Sequence, residues 1–139
     1  MKTTKIVLVL LATFFFANVS YAQKGKAWAE LDAMKAVMRQ TFPPMLKNND
    51  LAPARANAAQ MVVVATNLKN SEKPKAFKKK EMNEIFDRIS IQATELDNLV
   101  KNNASDEDVK IKLSELHGSF AEIAHHKKAP GGHQHGGNH

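Results

Sequence analysis

The sequence contains no cysteine. That excludes disulfides, thiolate metal sites, thioether attachment of a cofactor and cysteine nucleophiles. Glycine is scarce as well: of six residues, four fall at Gly131, Gly132, Gly136 and Gly137, so no glycine loop remains to cradle a phosphate. Serine never stands in a nucleophile elbow. β-Branched alternation is sparse and no hairpin dipeptide stands between apolar runs, so no strand signal competes with helix. Apolar runs are short except for one, residues 6–16, and that one is too short to cross a bilayer comfortably. With the carboxylates spread over polar faces, an ordinary enzyme activity is not expected.

The apolar run reads as part of a secretory signal. Lys2 and Lys5 precede it, and Ser20-Tyr21-Ala22 supplies the small residues that a signal peptidase reads, with cleavage expected after Ala22. The sequence thus divides into a signal (1–22), a folded unit (23–128) and a tail (129–139). A periplasmic or secreted location is expected, with no membrane span after cleavage. The mature chain would keep 139 − 22 = 117 residues, enough for one domain with a modest core. Its charge would be about +4, from 18 basic and 14 acidic residues. Lys73, Lys75, Lys78, Lys79 and Lys80 cluster with little aromatic interleaving, which argues against nucleic acid for an exported protein. They read as a solvated loop and helix start, the alternative being a docking patch for an acidic partner.

Four amphipathic stretches follow. In residues 26–46, Trp28, Leu31, Met34, Met38, Phe42 and Met45 recur at spacings of three and four. Pro43-Pro44 should bend or end that helix. Pro53 suits the first turn of a second helix, residues 52–68, which carries Ala56, Ala59, Met61, Val63, Val64 and Leu68. The third, residues 75–101, aligns Phe77, Met82, Ile85, Phe86, Ile89, Ala93, Leu96 and Val100. Ser105 and Asp108 resemble a capping box opening a fourth helix, which carries Val109, Leu113, Leu116, Phe120 and Ile123 to about Lys127. Short connections between four such helices predict an all-α, up-down-up-down antiparallel four-helix bundle, with a tail unable to bury a core.

Methionine and histidine are the residues through which such a bundle could do chemistry. Bundles build cofactor and metal sites by pointing ligands inward from facing helices. A thioether with a neutral imidazole suits haem iron and also copper. The first helix offers Met34 and Met38; the fourth offers His117, His125 and the adjacent His126. If helices one and four are antiparallel neighbours, Met34 and His125 fall near the same end.

Residues 27–128 resemble the cytochrome c-prime and soluble periplasmic cytochrome b family of four-helix bundles. In the c-prime type the last helix ends in a Cys-x-x-Cys-His haem motif followed by basic residues. Residues 118–127, Gly-Ser-Phe-Ala-Glu-Ile-Ala-His-His-Lys, have that layout, with Ala121 and Ala124 in place of the cysteines. In the b-type relative, haem is held non-covalently by a Met early in helix one and a His late in helix four. Leu31-Asp32-Ala33-Met34 resembles the first segment and His125-His126-Lys127 the second. The resemblance therefore implies non-covalent haem b with Met34 and His125 as axial ligands, in electron transfer or in haem or gas binding. A periplasmic redox partner and a monomer or homodimer would follow.

Helical geometry favours a second pair. At 100° per residue His125 lies roughly 140° from the centre of the fourth stripe and His117 about 60° from it. Met38 is likewise more central on its stripe than Met34. His117 and Met38 are thus alternative ligands. The tail adds His133, His135 and His139, which with His125 and His126 form an imidazole-rich segment suited to Cu, Ni or Zn. A transition-metal-binding or sensing protein and a cofactor-free bundle are the other expectations.

Overall fold

The computed structural model describes residues 28–128. It is a four-helix bundle: α1 (Ala29–Asn48), α2 (Ala52–Asn70), α3 (Lys80–Lys101) and α4 (Asp106–Lys128), with a 3-10 turn (Lys75–Phe77) before α3. No strand occurs among the described residues, and no helix there is long and apolar enough to cross a membrane. The expected signal and tail, including His133, His135 and His139, lie outside the described residues.

Each helix buries one stripe. Leu31, Met34, Met38 and Met45 of α1 meet Met61, Ala65 and Leu68 of α2, Phe86, Ile89 and Leu96 of α3, and Val109, Leu113, Leu116 and Ile123 of α4 in one core. α2 shows its small residues: Ala54, Ala58 and Ala65 are buried, which lets its neighbours approach closely. Ala56 and Ala59 are instead exposed and Val63 is half exposed, so the buried face is rotated from those three positions. Thr41 is fully buried, but its hydroxyl donates to the Val37 carbonyl at 3.0 Å, so that hydroxyl is not stranded.

The helix ends follow local chemistry. α1 runs through Pro43-Pro44 to Asn48 rather than ending there. Two backbone donors are lost, yet Met45 anchors the last turn in the core at 2% exposure. Asn49 then turns left-handed (φ 51°), and the Asn49 and Asp50 amides donate to the Met45 and Pro44 carbonyls. Ser105 accepts the Asp108 amide at 3.1 Å, which starts α4 as its spacing predicted. α3 begins at Lys80 and not at Lys75. Phe77 lies five residues before Met82, off the α3 stripe, and folds back against Trp28 with ring centroids 5.1 Å apart.

Contacts across the bundle fit an up-down-up-down order. At one end the start of α1, the end of α2 and the start of α3 meet: Trp28 donates its indole N–H to Ser71 Oγ at 3.0 Å and packs edge-on against Phe86. Phe77 also approaches His126, near the end of α4. At the other end Arg55, early in α2, bonds the Ala104 carbonyl and Asp106 at the start of α4. α3 and α4 are tied by Arg88–Glu122 and by Lys112–Glu95. Of the four neighbouring helix pairs, α1 and α4 touch least.

Candidate functional site

That thin seam between α1 and α4 holds an open cleft of about 170 Å³. From α1 it is lined by Lys35, Met38, Arg39, Phe42 and Pro43, and from α4 by His117 and Phe120. The α1 residues recur at spacings of three and four, so they form one face beside the core stripe. Most of the wall is apolar. Met38 closes the inner side at 4% exposure, and Phe42 and Phe120 are half-buried.

The His117 imidazole lies parallel to the Phe42 ring, centroids 3.6 Å apart. Burial pushes its pKa below the ordinary 6.5, so the ring is neutral at neutral pH and keeps a lone pair for a ligand or proton. Two cations stand on the rim. Lys35 has a long pairing with Asp32 at 3.6 Å, both side chains well exposed. Arg39 is exposed and has no carboxylate within ion-pair distance among the described residues. The cleft thus combines apolar walls, a thioether, a neutral imidazole and a positive rim.

The sequence-derived ligands divide on this geometry. Met38 and His117 are brought to one cleft. In an antiparallel pair, the Phe42–His117 register does set Met34 level with His125, since 42 − 34 = 8 and 125 − 117 = 8. The orientation differs, however: Met34 is sealed in the core at 0% exposure, while His125 is exposed. His126 is half-buried and its ring lies 6.2 Å from that of Phe77, so it serves the packing of the bundle end. No group of three or more His, Cys, Asp or Glu side chains poised for a metal occurs among the described residues.

Sequence reasoning missed the rim and the stack. The signal was present: Lys35 and Arg39 stand four apart, as do Met38 and Phe42, on adjoining lines of one helix. What periodicity does not reveal is which neighbouring helix leaves such a line uncovered.

Non-covalent haem can be tested against these residues. Met38 and His117 offer the donors, Phe42 and Phe120 the apolar walls, and Lys35 and Arg39 the charges that carboxylates need. Met34 and His125 do not offer a shared site. At about 170 Å³ the cleft is below the roughly 300–1,000 Å³ of organic ligand pockets, so a macrocycle fits only if Phe42 and His117 separate.

Compared with known protein families, curated proteins and solved structures, the chain matches none.

Proposed function

We propose that this protein is a non-enzymatic binding bundle whose ligand is an amphipathic organic anion, haem b foremost, taken up in the α1–α4 cleft. One observation carries the reading: a thioether and an unprotonated imidazole from two helices share an apolar cleft rimmed by Lys35 and Arg39. Met38 and His117 would supply the thioether and imidazole donors to the iron, in place of Met34 and His125, once Phe42 and His117 part to admit the ring. Lys35 and Arg39 would pair with its carboxylates, and the apolar walls would shield it from water. Bound haem supplies a ferrous–ferric couple whose potential a thioether ligand raises. That suits electron transfer with a periplasmic partner in a member of the cytochrome c-prime and b family, which residues 118–127 resemble.

The test is a titration of purified protein with haem, followed by absorption. Sharp reduced bands are expected for wild type, Met34→Leu and His125→Ala, and their loss for His117→Ala and Met38→Ala. Equal spectra for all five overturn the axial assignment. If haem leaves no spectrum, anilinonaphthalene sulfonate probes the wider anion reading: its binding should weaken in Lys35→Gln and Arg39→Gln.

The cleft volume favours a second reading, because an ion such as copper enters without parting the helices. Met38 and His117 would then act with the histidines of residues 125–139 in copper, nickel or zinc handling. The positive rim weighs against it. Deleting residues 130–139 separates the two: haem binding survives, whereas tail-dependent metal uptake is lost from calorimetric titration.

A further inference from the structure

We propose that the lysine-rich end of the bundle is a docking surface for an anionic phospholipid bilayer. The proposal is independent of the α1–α4 cleft. The segment joining α2 to α3 crosses the end at which α1 begins and α4 finishes, as Phe77 against Trp28 and His126 shows. This segment presents Lys75, Lys78, Lys79 and Lys80 to solvent. Lys69 and Lys78 have carboxylate partners, Asp87 at 3.1 Å and Glu72 at 3.8 Å. Lys75, Lys79 and Lys80 have none within ion-pair distance among the described residues.

Local energetics do not account for this placement. Lys79 is the N-cap of α3 and Lys80 its first residue. A helix N-terminus is the positive end of the dipole, where a cation is disfavoured and an anion is stabilised. α4 follows the ordinary pattern, with Asp106, Glu107 and Asp108 in its first turn. α3 reverses it, with only Glu81 to offset the lysines. An external anionic surface supplies the missing counter-charge.

The form of the patch separates a bilayer from a protein partner. Specific protein interfaces centre on an apolar or aromatic anchor that fills a pocket. Here the aromatic side chain of the segment, Phe77, is turned into the core at 6% exposure. The exposed large apolar residues, Leu46, Val63, Ile91 and Ile111, lie on other parts of the bundle. Long, flexible lysines with no anchor between them suit a delocalised surface of phosphate headgroups, worth about 1 kcal/mol per lysine near the surface.

The experiment is sedimentation of the full chain with vesicles of phosphatidylcholine alone or mixed with phosphatidylglycerol. Lys2 and Lys5 beside the apolar run at residues 6–16 also favour the anionic vesicles, so the contribution of the bundle end is read from paired lysine variants of the same full chain. Binding to the anionic vesicles should be stronger and should fall with salt. Lys75→Gln with Lys79→Gln should weaken it on the order of thirtyfold. Lys47→Gln with Lys110→Gln, the same charge change at the opposite end, should leave it within about twofold. Equal binding to both vesicle types, or equal loss in both double variants, overturns the proposal. So does capture by polyglutamate beads without vesicle binding, which gives the surface to an acidic protein.

Discussion

His117 lies flat against Phe42, its ring centroid 3.6 Å away and its plane parallel, and through this contact α4 closes on the cleft face of α1. A cation in that stack would lose hydration without gaining a carboxylate, which is why burial lowers the imidazole pKa.

The pH dependence follows from that shift. The unfolded chain binds a proton on His117 near pH 6.5, whereas the folded chain binds it only at lower pH. Stability is therefore complete above about 6.5 and falls as pH drops from there through the folded value. Proton NMR of the His117 ring should show a midpoint below 6.5. The acid-side loss of stability assigned to this group should disappear in His117→Gln, and a His117 midpoint above 6.5 contradicts the buried stack.

Trp28 is the single tryptophan of the chain, so its fluorescence reports directly on the end of the bundle where it packs. Its indole N–H donates to Ser71 Oγ, which in turn donates to the Leu68 carbonyl at the end of α2. Ser71→Ala leaves a largely buried donor unpaired and should cost about 1–2 kcal/mol in urea unfolding. An unchanged midpoint would mean that water replaces the hydroxyl without loss.

Met34 separates packing from ligation. It is fully enclosed, so Met34→Ala should cost about 2–5 kcal/mol, a large share of a small domain's stability. Met34→Leu keeps the volume and should cost less than about 1.5 kcal/mol. Calorimetric melting of the two variants checks both values. A severe effect of the leucine variant on ligand binding, with stability intact, would restore the thioether of Met34 as a ligand.

Gly118 sits inside α4, exposed, and a Cβ added there meets nothing within 4 Å. Gly118→Ala should therefore stabilise the protein by roughly 0.5–1 kcal/mol, read as a raised melting temperature. Destabilisation would show that α4 needs the glycine's freedom.

Much of the fold was legible because its signals are local. The spacing of apolar residues located all four helices, Pro53 marked the start of α2, and Ser105 with Asp108 marked that of α4. The misplacements share one cause, tertiary contact prevailing over pattern. Phe77 left the α3 stripe to pack on Trp28, and the packing of α2 turned Ala56, Ala59 and Val63 outward. For the candidate site, the wheel angles singled out Met38 and His117, the pair that the cleft unites. The positive rim and the Phe42 stack depend on how closely α1 meets α4, and the strength of a seam is written in no single helix.

Because Phe77 touches both Trp28 and His126, the described chain starts and finishes at the same pole of the bundle. A reporter or tether joined directly at residue 28 or residue 128 is thereby held on one side of the molecule. The opposite pole, with its left-handed Asn49 and Asn103, stays clear for a new pair of ends, so linking residue 128 to residue 28 and reopening the backbone at Asn103 should yield a circular permutant with every helix whole.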